Sequence, residues 1–413
     1  MNRNQFITLL VVAAVIGGIG LFLYKRNADS YQGASKAGQP LLGEFNINDV
    51  AHIAIRKDDR EANIVKQDNV WTVRERGQYP ANFEQISEFV RKLDDLKVVQ
   101  TLQVGPSQLG RLELAAPGQA NSATVVEFKD AAGKILASLR VGAKHMKKSD
   151  RPSPFGDDGG FPNGRYVMAG NEGAVSVVLD PLSQADPKPE QWLNRDFFKV
   201  EKPKSIAVKA PEATNSFKIF RENETAEWQL VDATPEEKLD NGKASGLASA
   251  LSYPSFNDVV VGKSAEETGL DKPTTVTIET LEGFTYTLQV GGKGPDETLH
   301  TTVAVTADIP KERKPGADEK PEDREKLDKE FKEKNDKLAE KLQKEQALSK
   351  WTYLVPRWTL ESLLKSRSEL MAEKKEDDTA AADEEKDDEN DPVLSAEPGE
   401  SKTPANGDGA ELP

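Results

Sequence analysis

Gly262-Lys263-Ser264 carries the ending of a phosphate-binding loop, with a lysine for the phosphates and a hydroxyl for magnesium. That chemistry also needs a glycine five positions before Gly262, where the backbone wraps the phosphate, and Asn257 stands there. Asp157-Asp158-Gly159-Gly160 pairs carboxylates with turn residues, as calcium loops do, but lacks the alternating ligand pattern of an EF-hand. Its neighbours Pro152, Pro154, Gly156, Pro162 and Gly164 mark a long loop instead. His52, His145 and His300 lie far apart and share no ligand spacing. The chain has no cysteine, which excludes disulfides, thiolate zinc sites and cysteine nucleophiles. No nucleophile elbow, H-E-x-x-H pair or dinucleotide fingerprint occurs. The carboxylates are too many for one acid–base couple to stand out. No catalytic, cofactor-binding or metal-ligating residue is therefore assigned, and the chain reads as a protein that is not an enzyme.

The elements that carry these residues repeat. Trp71 opens Trp-Thr-Val, and Trp228 opens Trp-Gln-Leu 157 positions later. Val104-Gly105-Pro106-Ser107 returns at the same spacing as Val261-Gly262-Lys263-Ser264, with proline where the second copy has lysine. The duplication thus reads Gly262-Lys263-Ser264 as a structural turn. Leu114 and Pro117 return as Leu270 and Pro273, and Val90, Leu93 and Leu96 align with Leu247, Ala250 and Tyr253.

Each copy predicts a short alternating strand (52–55; 205–208), then another ending at the tryptophan. An amphipathic helix follows, with Ile86, Phe89, Val90, Leu93 and Leu96 on one face of a 3.6-residue period. Next comes a hairpin (124–128 with 135–141; 275–280 with 285–290), turning at glycine and closing on Val141-Gly142 or Val290-Gly291. Further strands are expected at 166–168, 174–179, 301–306 and 352–355. This is α+β architecture, two tandem modules of mainly antiparallel sheet with packed helices.

Residues 310–350 interrupt the second copy with dense Lys and Glu. Their apolar residues Leu327, Phe331, Leu338 and Leu342 fall within one narrow helical stripe. A helix over 322–348 would be roughly 40 Å long. The stripe suits a seam for a partner helix or a second copy of the chain, or docking on the chain's own body.

Residues 6–23 are uncharged and apolar, spanning roughly 27 Å as a helix, close to the hydrocarbon thickness of a bilayer. Tyr24, Lys25 and Arg26 end the run without a small-residue cleavage site, so it reads as an uncleaved transmembrane anchor. Ala13 with Gly17 and Ala14 with Gly18 form small-x-x-x-small pairs that let another helix approach, although glycine is also simply frequent in such helices. Flanking charge leans slightly towards a cytoplasmic body, but long domains translocate with little regard to charge. The body is read as extracytoplasmic, on a bacterial inner membrane. From residue 373 onwards 15 acidic residues face 4 basic ones, a net of −11 out of −15 for the chain. This tail lacks aromatic residues and is expected to be disordered. The remaining body is nearly balanced and has no basic footprint for nucleic acid. The expected organisation is an anchor (1–26), a linker (27–43), modules at 44–198 and 199–372, and the tail (373–413).

Trp71-Thr72-Val73, Tyr79-Pro80-Ala81 entering a helix with Leu93-Asp94-Asp95-Leu96, and Thr268-Gly269-Leu270-Asp271-Lys272-Pro273 together resemble the bacterial membrane-anchored family of domain of unknown function 4340. The closing run Tyr353-Leu354-Val355-Pro356 fits the same pattern, and the resemblance covers residues 45–371. It implies a non-catalytic accessory or scaffold protein, associated with ABC-type transport or gliding-type export systems, and it transfers no catalytic residues. Partners would be the bilayer and proteins of a membrane complex, with self-association open. A binding module for a cell-envelope polymer or small ligand is the alternative. The charged insertion and acidic tail depart from the family pattern.

Overall fold

In a computed structural model the protein is described at residues 37–147, 161–170, 174–315 and 319–372. The apolar run with Ala13, Ala14, Gly17 and Gly18, the turn at 157–160 and the acidic tail lie outside the described residues. Among those described, no helix is long and apolar enough to cross a membrane.

The architecture is α+β, two antiparallel sheets with few helices. The first sheet holds β1 (His52–Lys57), β2 (Arg60–Gln67), β3 (Val70–Val73), β4 (Tyr79–Pro80), β5 (Gln100–Leu102), β6 (Thr124–Lys129), β7 (Ile135–Lys147), β8 (Phe161–Ala169) and β9 (Val175–Val178). Their order is β4-β3-β2-β1-β6-β7-β8-β9-β5. The second holds β10 (Pro203–Lys209), β11 (Phe217–Phe220), β12 (Gln229–Leu230), β13 (Asp258–Val260), β14 (Thr274–Thr280), β15 (Phe284–Lys293), β16 (Thr298–Ala307) and β17 (Thr352–Pro356). Its order, β12-β11-β10-β14-β15-β16-β17-β13, repeats the first strand for strand, without a counterpart of β4. One continuous apolar core runs beneath both sheets.

Local chemistry accounts for the elements. In β6 the odd-numbered residues are half-exposed while Thr124, Val126 and Phe128 are buried, the period-two alternation of a one-sided sheet. Helix α1 (Phe83–Asp94) starts where the Asn82 side chain accepts the Gln85 N–H, and it buries Ile86, Phe89, Val90 and Leu93. Its counterpart α2 (Asn241–Ser249) starts at Asp240, whose carboxylate accepts from Gly242 and Lys243. Here the sequence alignment slips. Tyr253 is 82% exposed, and Leu251 takes the buried position instead, because α2 is a turn shorter than α1. The strand expected to end at Trp71 is really two, β2 and β3. Asp68 and Asn69 both adopt positive φ between them, as a two-residue hairpin turn requires.

The Val-Gly pairs have a shared cause. A Cβ on Gly142 would stand 2.3 Å from the Leu112 carbonyl oxygen, and one on Gly291 would stand 2.4 Å from that of Thr268. In each sheet a turn crosses the long hairpin strand so closely that only glycine fits. In the second sheet that turn follows the short helix α3 (Ala265–Thr268), whose left-handed cap is Gly269. Each module also closes in the same way. Trp192 O accepts from Asn82 N and Pro80 O from Asn194 N. Likewise Leu370 O accepts from Asp240 N and Lys238 O from Ala372 N.

The β4 side of the first sheet meets the β13 side of the second. Arg76 grips Asp258 with two parallel bonds, Nε at 2.6 Å and Nη2 at 2.8 Å, and Nη2 also reaches Glu190 at 3.4 Å. Arg195 donates to the carbonyls of Phe256 and Asn257 at 2.8 and 2.9 Å. Between them the Tyr79 ring stands edge-on to Trp351, Phe256 and Tyr353, with centroids 4.7, 5.8 and 6.1 Å away. Gly77, at φ +64, brings the chain close to Val261 and Trp351.

Candidate interaction surfaces

The charged insertion forms helix α4 (Pro321–Ala347), within one residue of the span predicted by its period. Leu327, Phe331, Leu338 and Leu342 do share one face, and all four are half-buried. Leu338 and Leu342 pack against the chain's own core. Leu327 and Phe331 lie further out, where Arg313 of the preceding segment pairs with Glu319 and Asp328, and Asn335 donates to the Pro310 carbonyl. The rest of this outer half, including Lys326, Lys329, Glu330 and Glu333, faces solvent.

Two polar residues, Lys341 and Glu345, lie on the same face of the helix. Glu345 is buried, and its carboxylate accepts from the Tyr286 hydroxyl at 2.9 Å and the Lys199 N–H at 3.1 Å. Burial pushes this carboxyl above its ordinary range, against the pull of its two donors. Lys341 donates to the Lys199 carbonyl at 3.1 Å and to Glu201 at 2.9 Å, above the Phe284 ring. The Glu201 carboxyl is held low by Lys341 and Lys199.

The outer face of the first sheet carries a second polar set. Glu75 accepts from both the backbone N–H and the side-chain amide of Asn63, at 2.9 and 2.6 Å. That fixes the Asn63 carbonyl oxygen towards His52, whose Nε2 donates to it at 2.9 Å. Burial, with the nearby cations Arg74, Lys129 and Arg56, lowers the His52 pKa below 6.5, so the ring is neutral at pH 7. Beside it Glu127 joins Arg56 at 2.5 Å and Lys129 at 3.0 Å. Arg56, Lys57, Asp58, Glu127, Ser138 and Arg140 line a groove of about 420 Å³. Its walls mix both charges, and Lys57 and Asp58 are engaged by Glu113 and Ser122. Such a groove can hold a polar ligand by exchanging these bonds. Sequence alone missed it because its residues come from separate strands, each looking like an ordinary solvated face.

The decoys resolve locally. Ser264 caps α3 by accepting the Glu267 N–H, and Glu267 returns a bond to the Ser264 N–H, a reciprocal capping box. Gly262 turns at φ +76. His300 is buried with Nδ1 on the Gly292 carbonyl, and His145 bonds Asn163. Among the described residues no group of His, Asp or Glu has the arrangement of a metal site.

No curated protein and no solved structure matches the chain. One family does, described as a domain of unknown function (DUF4340), over residues 71–273. The matched span starts at Trp71 in β3, ends at Pro273 before β14, and so holds Arg76, Tyr79, Arg195 and Asp258 of the joint. By that match residues 71–273 of the chain belong to the DUF4340 family.

Proposed function

We propose that this protein is a non-catalytic accessory or scaffold subunit, held by residues 6–23 as a single-pass anchor with its body outside the cytoplasm. The observation that carries the reading is the joint between the sheets. A buried aromatic contact and a bidentate arginine–carboxylate pair join the two modules directly, which suits a body that presents both to partners at once. The apolar run supplies the tether, and the exposed outer half of α4 offers a charged surface. The family resemblance adds an ABC-type transport or gliding-type export complex as the setting. Affinity purification of the full chain from mild detergent tests this. A defined set of membrane proteins should co-purify, and should be lost when residues 1–26 are replaced by a cleavable signal peptide. Recovery of the chain alone from both preparations would sink the scaffold reading.

The groove on the first sheet favours a second reading, a binding module for a polar envelope polymer or small ligand. That reading expects a ligand-dependent rise in melting temperature, removed by Arg56→Ala.

A further inference from the structure

The inserted helix has no counterpart in the first module. Strands β8 and β9 are five residues apart, whereas β16 and β17 are joined through α4. The insertion therefore enters β17, which pairs with β13 and carries the face that receives the first module. Its inner end and the short segment that leads from it into β17 touch three parts of the molecule. Glu345 and Lys341 hold the backbone of Lys199, in the segment that leads into β10. Glu345 also holds Tyr286 of the second sheet, and the Leu348 carbonyl accepts the Tyr353 hydroxyl at 2.9 Å. Three residues on, Trp351 meets Tyr79 of the first sheet and stands over Gly77. The outer half of the helix, by contrast, exposes its charges to solvent.

We propose that the inner end of α4 is a working part of the joint, so that the seating of the helix and the angle between the two modules are linked. A protein that engages the outer half of α4 would then bias the angle, and the angle would set its affinity by the same factor. This goes beyond the scaffold reading and does not depend on it, because every contact involved lies within the chain.

The absence of native cysteine allows a direct test on the full-length protein. Spin labels at Lys134→Cys and Lys272→Cys, both exposed and one on each sheet, report the inter-module distance distribution. Trypsin cleavage within 321–347 reports how often the helix leaves its seat, since cleavage follows the population of the open form. Glu345→Gln should widen the distance distribution and raise helix cleavage roughly five-fold or more. Asp258→Ala, which loosens the joint from the other side, should raise cleavage of the helix although it touches no residue of it. The outer pair Leu327→Ala with Phe331→Ala should leave the distances unchanged. A helix freed to trypsin with an unaltered distance distribution overturns the proposal, as does a widened joint with unaltered helix cleavage. If Glu345→Gln moves neither reading, Leu342→Ala combined with Glu345→Gln must move both, and failure there also overturns it.

Discussion

Two glycines and one histidine show what single residues decide in this fold. Gly142→Ala and Gly291→Ala should each destabilise the body by about 1–3 kcal/mol, because the new methyl meets a backbone carbonyl that cannot step aside. Gly246→Ala, inside α2 with nothing within 4 Å, should instead stabilise by about 0.5–1 kcal/mol. Urea unfolding of the three variants separates steric from propensity effects, and equal shifts would dismiss the close-approach argument. His52 has a folded pKa below its ordinary 6.5, so the unfolded chain takes up the proton first. Stability should therefore fall as pH drops through 6.5, with the loss complete once the folded pKa is passed. His52→Gln should flatten that part of the stability curve, and an unaltered pH profile would exclude His52 as its source. The spacing of Val141-Gly142 and Val290-Gly291 was legible in the sequence, but the carbonyls that demand glycine come from turns more than twenty residues away.

At the scale of elements, the inserted helix separates pattern from environment. Its length and stripe follow from period alone, and α4 runs over Pro321–Ala347 as that period requires. A lone charged helix would draw only about 0.2–0.5 kcal/mol from each pair such as Lys344–Glu340 or Lys326–Glu330. Leu338, Leu342 and Glu345 add contacts of a different kind, since they are seated on the body. Replacing residues 311–346 with a glycine–serine linker should therefore cost about 2–4 kcal/mol, from half-buried leucines and a lost buried hydrogen-bond pair. Thermal or urea unfolding checks this, and unchanged stability would mean that the seat contributes nothing. Sizing by light scattering on the same variant tests the remaining seam, Leu327 and Phe331. Self-association that persists without the helix would remove those two residues from any interface.

For the whole molecule, the repeated strand order and the repeated closing bonds describe one module built twice and joined once. The joint does not extend to the outer ends. By the 157-residue spacing, Thr101 stands where the second module has Asp258 and Ala233 where the first has Arg76, so neither end carries the arginine–carboxylate grip. Arrays of modules commonly end on altered surfaces of this kind. The side of the membrane on which this body sits is open to direct measurement. With Lys134→Cys as the only thiol, a membrane-impermeant maleimide should label the protein in intact spheroplasts. Labelling only after lysis would place the body in the cytoplasm and remove the extracytoplasmic reading.

What repeats locally is written in the residue pattern. Periods of 2 and 3.6 residues give the long hairpins, α1 and α4, and a shared register reveals the second copy. It also set the chemistry available, since a chain without cysteine can form no disulfide. The short strands β4, β5 and β13 escaped it, because two or three residues are too few to show a period. So did the joint. Arg76 and Asp258 are 182 positions apart, and each alone resembles any solvated charge. An apolar stripe states that a helix needs an apolar neighbour without naming it. Only the tertiary structure chose the neighbour of α4, by setting Tyr286, Lys199 and the core of the second sheet beneath it.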